Sequence, residues 1–177
     1  MTATGIGYDA HRFAPGRRLV LGGVAIAHDR GLEGHSDADV LTHAIIDALL
    51  GAAALGDIGE LYPDTDERFR GADSLELLRD TVRRLWRASF TIRNVDATVL
   101  LERPKLAPHR DEIRRQLADA LSVRVDQVSV KATRGEGMGF VGREEGVAAL
   151  AVATVENRSA QSGAPLIRPI LPSPADR

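Results

Sequence analysis

From Asp39 to Ala53 the chain is apolar on almost every side. Val40, Leu41, Ala44, Ile45, Ile46, Ala48, Leu49 and Leu50 cover most of a helical circumference, which predicts a helix buried at the centre of the molecule. The polar exceptions are Asp39, Thr42, His43 and Asp47. Asp39, His43 and Asp47 step by four and stack along one stripe. A solvated stripe would carry Lys, Arg and Glu, and this one has none.

Elsewhere the pattern alternates between periods. Thr2–Tyr8 reads as a strand. Arg18–Leu21 and Val24–Ala27 read as a hairpin joined through Gly22-Gly23. Asp73 with Glu76 three residues on resembles a capping box. It opens a helix with Leu75, Leu78, Val82 and Leu85 on one face. Ile92–Leu101 alternates Val95, Ala97 and Val99 against Asn94, Asp96 and Thr98, the signature of a half-buried strand. A helix is predicted from about Pro108 to Leu121, with Ile113, Leu117 and Leu121 inward. Val128–Thr133 and the nearly continuous apolar run Val147–Val155 are strands, the second of the fully buried kind. The expected fold is α/β (α+β): a mixed four-stranded sheet with helices packed on one face, plus a small β-hairpin. Residues 1–157 are expected to form a single domain. From 158 to 177 Ser, Gly, Pro and Arg take over, which predicts a mobile tail without a catalytic role.

Composition narrows the function. A chain of 177 residues supports one sizeable core. A net charge of −2 gives no electrostatic reason to expect nucleic acid or a membrane surface as partner. Aromatic residues make up 4%, too few for a stacking platform. There is no cysteine, hence no disulfide framework and no thiolate ligand or nucleophile, in keeping with a reducing, cytoplasmic setting. No apolar run reaches the roughly 20 residues needed to span a bilayer, and the N-terminus lacks the pattern of a signal peptide.

The chemistry concentrates in Gly34–Asp66. His35, Asp37, Asp39, His43, Asp47 and Asp57 surround the buried helix, followed by the acidic loop Pro63-Asp64-Thr65-Asp66. Asp9 and His11, two apart on a strand end, point the same way. With His43 they make a two-histidine, one-carboxylate set. Zinc takes such nitrogen and oxygen ligands, and a catalytic zinc keeps one position open. The same pattern fits a core histidine hydrogen-bonded to a carboxylate. A third region, Lys131–Arg143, carries four glycines from Gly135 to Gly142, Glu136 and three cations, suited to phosphate oxygens or to an ordinary glycine-rich turn. It is not a P-loop, and no G-x-S-x-G is present. Taken together, these residues describe a metal-dependent enzyme acting on a phosphorylated small molecule.

The stretches Gly5–Phe13, Gly34–Asp47, Gly51–Asp66, Gly71–Leu78, Asn94–Asp96, Arg103–Lys105 and Lys131–Gly146 resemble, in the same order, the 2-C-methyl-D-erythritol 2,4-cyclodiphosphate synthase family of the non-mevalonate isoprenoid pathway. The resemblance implies intramolecular phosphoryl transfer. The 2-phosphate of 4-diphosphocytidyl-2-C-methyl-D-erythritol 2-phosphate attacks the β-phosphorus of its own diphosphate and CMP leaves, the reaction of a phosphorus–oxygen lyase. It implies Asp9, His11 and His43 as ligands of Zn²⁺, and Glu136 as ligand of a second ion, Mg²⁺ or Mn²⁺. His35 and Ser36 would contact the phosphate end of the substrate. Asp57, Ile58 and Gly59 would bind the erythritol hydroxyls, beside Tyr62, Pro63, Asp64, Thr65 and Asp66. Leu101–Ala107, including Lys105, with Ala132 and Thr133 would hold cytidine. It implies a homotrimer whose active sites are shared between subunits. Phe140 and Arg143 would line an axial channel able to meet an isoprenoid diphosphate.

Three features depart from that pattern. Arg134-Gly135 follows Thr133 where a threonine that supports the transition state is usual, which leaves Arg134 or Thr133 to take that role. Tyr8 stands where a large apolar residue is common, and the stretch beyond Asn157 is longer than usual. Two other functions fit the residues: a metal-dependent phosphodiesterase or pyrophosphatase using water, and a non-catalytic module binding isoprenoid diphosphates through Arg143.

Overall fold

The computed structural model describes residues 1–158. Strand β1 (Thr2–Pro15) pairs antiparallel with the C-terminal strand along most of its length, from Thr2 opposite Glu156 to Arg12 opposite Gly146. After β1 come β2 (Leu19–Leu21), β3 (Val24–Ile26) and β4 (Arg30–Leu32). Helices α1 (Val40–Ala53), α2 (Ile58–Leu61) and α3 (Ser74–Arg87) follow, then β5 (Phe90–Leu100), α4 (Arg110–Leu121), β6 (Val128–Thr133), α5 (Gly139–Gly142) and β7 (Gly146–Asn157). The main sheet runs β4-β1-β7-β5-β6, and β2-β3 forms a separate hairpin. Among the described residues only β5 and β6 pair in parallel, with α4 as part of their crossover.

The expected class holds, with two differences. The sheet has a fifth strand, β4, three residues long and opposite Phe13–Pro15. β1 runs seven residues beyond Tyr8, because its far end is paired by β4 after β7 has ended. Asp9 and His11 therefore sit inside a strand and not at its end.

Helix α1 is buried as predicted, with Leu41, Ile45, Ile46 and Leu49 wholly inaccessible. It lies on β1 at two glycines. A Cβ on Gly5 would stand 2.1 Å from the Ala48 carbonyl oxygen, and one on Gly7 would stand 1.9 Å from that of Ala44. Gly5, Gly7, Asp9 and His11 share one face of β1 by the two-residue period, so the strand that seats the helix also aims two polar side chains toward its first turn. The Asp39 N-cap is completely buried. Its carboxylate accepts from the Thr42 N–H and hydroxyl and from the Gly23 N–H at 2.7 Å, joining α1 to the β2–β3 hairpin.

Helices α3 and α4 complete the layer on the same face of the sheet. Asp73 caps α3 as expected, but Glu76 turns to Arg79 at 2.8 Å in place of the reciprocal bond of a capping box. The opposite face of the sheet carries Ile6, Tyr8, Leu150 and Val152, which are 69%, 54%, 39% and 40% exposed. In register Ile6 faces Val152 and Tyr8 faces Leu150, so the four form one apolar patch.

Of the predicted tail, Arg158 alone is described. Its N–H donates to the Ser89 carbonyl at 2.8 Å and its guanidinium lies 3.5 Å over the Trp86 ring. Residues 159–177 lie outside the described residues.

Candidate metal centre and substrate cavity

Asp9 and His11 from β1 meet His43 from α1. Asp9 Oδ2 lies 2.9 Å from His11 Nε2 and 3.0 Å from His43 Nδ1, and the two nitrogens are 3.3 Å apart. The outer nitrogens decide what these atoms carry. His11 Nδ1 is 2.7 Å from the Glu33 carbonyl oxygen, which only accepts, so Nδ1 bears the proton and Nε2 presents a lone pair. His43 Nε2 is 2.9 Å from Ser74 Oγ, whose hydrogen goes to Asp37 Oδ1. Nε2 of His43 is then the donor, and Nδ1 is bare.

Three lone pairs thus converge on one point, an arrangement that requires a positive charge among them. Zinc bonded at about 2.0 Å would place tetrahedral donors roughly 3.3 Å apart, close to the spacing seen, so the three residues fit a divalent cation. The titration behaviour expresses the same demand. Burial pushes the Asp9 carboxyl up, but the hydrogen bonds and charge of His11 and His43 outweigh it and hold the group well below the usual carboxylate range. Burial pushes His11 down, and the Asp9 carboxylate with the Glu33 carbonyl more than reverses this. The pair recruits a proton where a cation would otherwise sit.

The centre opens into a cavity of about 370 Å³. His11, His35, Ser36 and His43 line one side, and Ile58, Gly59, Tyr62, Pro63 and Asp64 line the other. His35 Nε2 donates to the Asp66 carbonyl at 3.0 Å, and its own carbonyl accepts from Gly71 at 2.8 Å, so it ties down both ends of the 66–71 loop. Tyr62 OH reaches Asp80 and Thr81 of α3, both at 3.0 Å, anchoring the end of α2 ahead of that loop. Asp57 caps α2 through the Glu60 N–H, and Asp47 accepts from the Ile58 N–H at 2.8 Å. Burial, with the charges of Asp57 and Asp9, raises the Asp47 carboxyl even so.

A second cavity, of about 230 Å³, is walled by Leu101–Ala107 without Arg103, by Ala132 and Thr133, and at its rim by Arg134. A third, of about 750 Å³, includes Phe140 and Arg143 with Tyr8, Arg12 and Arg30.

The sequence profile of the YgbB family matches residues 2–156. The chain belongs to the YgbB family. A 2-C-methyl-D-erythritol 2,4-cyclodiphosphate synthase from Salinibacter ruber is 63% identical over 153 residues, covering 86% of this chain and 98% of the relative. Among solved structures, the bifunctional IspDF of Campylobacter jejuni superposes with a TM-score of 0.86 at 43% identity, over 89% of this chain and 42% of that one. A CDP complex of Plasmodium falciparum IspF superposes with a TM-score of 0.78 at 30% identity, over 88% and 96%.

Within this YgbB-family site, the glycine-rich run differs from a bare anion cradle. Its cations are each paired: Lys131 with Asp96 at 2.5 Å, Arg134 with Glu136 at 2.9 Å and Arg143 with Glu145 at 2.6 Å. The Gly135 N–H donates to Glu102 at 2.9 Å. Gly135 sits where a Cβ would stand 2.4 Å from the Gly142 nitrogen, so the run folds against itself. Glu136 is not part of the Asp9–His11–His43 group. Sequence reasoning missed the partners that orient the ligands. The Glu33 carbonyl carries no side-chain signal. Ser74 is 31 residues from His43, and Arg17 reaches the Gly34 and Ser36 carbonyls at 3.0 and 2.6 Å.

Proposed function

We propose that this chain converts 4-diphosphocytidyl-2-C-methyl-D-erythritol 2-phosphate to 2-C-methyl-D-erythritol 2,4-cyclodiphosphate with release of CMP, as a phosphorus–oxygen lyase of isoprenoid biosynthesis. The observation that carries this is the set of three converging lone pairs at the mouth of the 370 Å³ cavity, in a YgbB-family chain 63% identical to a relative bearing that enzyme's name. The water-using phosphodiesterase has no such support. The intact ligand set argues against a purely binding module.

Asp9, His11 and His43 would hold zinc, which supplies charge neutralisation to a phosphate when bound. Glu136 would serve a second ion, Mg²⁺ or Mn²⁺, once its bond to Arg134 opens. The substrate's 2-phosphate oxygen forms the new bond to the β-phosphorus as the bond to CMP breaks. No proton need be removed, because the nucleophile is already an anion. The task of the side chains is therefore positioning, worth several kcal/mol of the roughly 7–11 available to such effects. His35 and Ser36 would steady the 2-phosphate end, and Asp57, Ile58 and Gly59 the erythritol, with Tyr62–Asp66 closing over it. The Ile58 N–H is already given to Asp47 and its carbonyl accepts the Tyr62 N–H, so Ile58 serves by shape. Lys105, Ala132 and Thr133 would hold cytidine, and Arg134 or Thr133 the phosphates between.

Residues 1–157 would act as one catalytic domain in a cytoplasmic homotrimer with shared sites. The exposed patch of Ile6, Tyr8, Leu150 and Val152 supports the trimer, since an uncovered apolar sheet face calls for a partner. Phe140 and Arg143, in the 750 Å³ cavity, would face an isoprenoid diphosphate. No helix among the described residues is long and apolar enough to cross a membrane.

A ³¹P NMR spectrum of the protein with substrate and Mg²⁺ tests the activity. Two coupled resonances of a cyclic diphosphate, together with CMP, are expected. CMP with linear phosphates would instead establish the hydrolase.

A further inference from the structure

A further set of polar groups lies on the buried side of His43. Ser74, the first residue of α3, is completely inaccessible, and its hydroxyl stands between a carboxylate and an imidazole. Asp37 accepts twice from Ser74, through the hydroxyl on Oδ1 and through the N–H on Oδ2 at 3.1 Å. An ionised carboxylate can only accept, so the single hydroxyl hydrogen of Ser74 is committed to Asp37. The Ser74 oxygen, 2.9 Å from His43 Nε2, has only lone pairs to offer in that direction. The other neighbour of Nε2, Ser36 Oγ, is farther off at 3.2 Å and keeps a lone pair for Nε2 beside the one that accepts the Ala38 N–H at 3.1 Å. The imidazole answers by carrying its hydrogen on Nε2.

We propose that Asp37, acting through Ser74, is a positioning pair that fixes the His43 tautomer with bare Nδ1 toward Asp9 and His11, and so sets the triad's affinity for its cation. This rests on the metal-binding reading of the triad. Neither residue touches the ligand point. Without Asp37 the Ser74 hydroxyl is free to rotate and donate to Nε2. The imidazole hydrogen then moves to Nδ1, the nitrogen that must be bare for a cation to bind. Asp37 also receives the Asp39 N–H at 3.2 Å, so the same carboxylate links the start of α1 to the start of α3 and holds the relay in register.

The test is the zinc affinity of the full-length protein, measured by competition with a metallochromic chelator, alongside the melting temperature of each variant. Asp37→Asn and Ser74→Ala are expected to bind zinc about 10- to 100-fold more weakly than the parent, the usual cost of losing a group that orients a ligand. Leu78→Ala is the control. Leu78 is a wholly buried side chain of α3 that makes no bond to His43, so the variant lowers stability while zinc affinity stays within about threefold. A parent that binds zinc, with both relay variants within threefold of it or no weaker than Leu78→Ala, overturns the positioning role. A parent that takes up no zinc overturns the metal reading itself. If Asp37→Asn does not fold, Ser74→Ala decides alone.

Discussion

A Cβ placed on Gly7 would stand 1.9 Å from the carbonyl oxygen of Ala44. Main chain rests on main chain there, with no flexible side chain able to give way. Gly7→Ala is therefore expected to lift α1 from β1 and cost about 3 kcal/mol, at the upper end of the range for overpacking a core. Chemical denaturation measures the loss. Because His43 follows that part of α1, zinc affinity should fall with stability. A fully stable Gly7→Ala protein would show that the contact is not so tight.

His43→Ala removes one donor from the centre and leaves the rest of α1 in place. It is expected to lose bound zinc and cyclodiphosphate formation while remaining folded, read by metal analysis and circular dichroism. Collapse of the fold, with no zinc in the parent, would make His43 a core hydrogen-bonding residue.

The pH dependence follows from Asp9 and His11. The folded Asp9 is depressed, so its contribution is present above the unfolded value near 3.9 and fades as pH falls through the folded one. The folded His11 is raised, so its contribution is full below the unfolded value near 6.5 and fades as pH rises through the folded one. The metal-free protein should be most stable between about pH 4 and 6.5 as far as this pair is concerned, and should lose melting temperature toward pH 8.5. Zinc affinity should move the other way, because the cation displaces that proton. A metal-free protein whose melting temperature rises between pH 6.5 and 8.5 would contradict the assignment.

Arg134→Ala breaks an exposed ion pair with Glu136, so the melting temperature should change by no more than about 2 °C. Turnover is expected to fall at least about tenfold if this arginine neutralises phosphate charge in place of the usual threonine. Unchanged steady-state kinetics would transfer that role to Thr133.

The sequence made some of this site plain and hid the rest for identifiable reasons. The all-round apolarity of α1 marked it as buried, and the two-residue period put Asp9 and His11 on one side of a strand. The full length of β1 was not visible, because its last residues are held by β4, whose Arg30-Gly31-Leu32 is too short to show a period. Asp39 and Asp47 shared a helical stripe with His43, yet neither carboxylate bonds to the triad: one caps α1 and grips the hairpin, the other holds the α2 turn. Helical spacing states who faces the same way and not who is within reach. The three cations of the glycine-rich run were legible as charges, but their carboxylate partners come from sheet register and loop folding.

The two glycine seats beneath α1 bear on how this protein can vary. In most cores the gap between a helix and a sheet is filled by side chains, so each exchange of a methyl group shifts the spacing a little. Here that spacing is set by peptide groups, which every sequence shares. Relatives are free to exchange leucines and valines around the helix without dragging His43 away from β1, provided two positions on the strand keep no side chain at all.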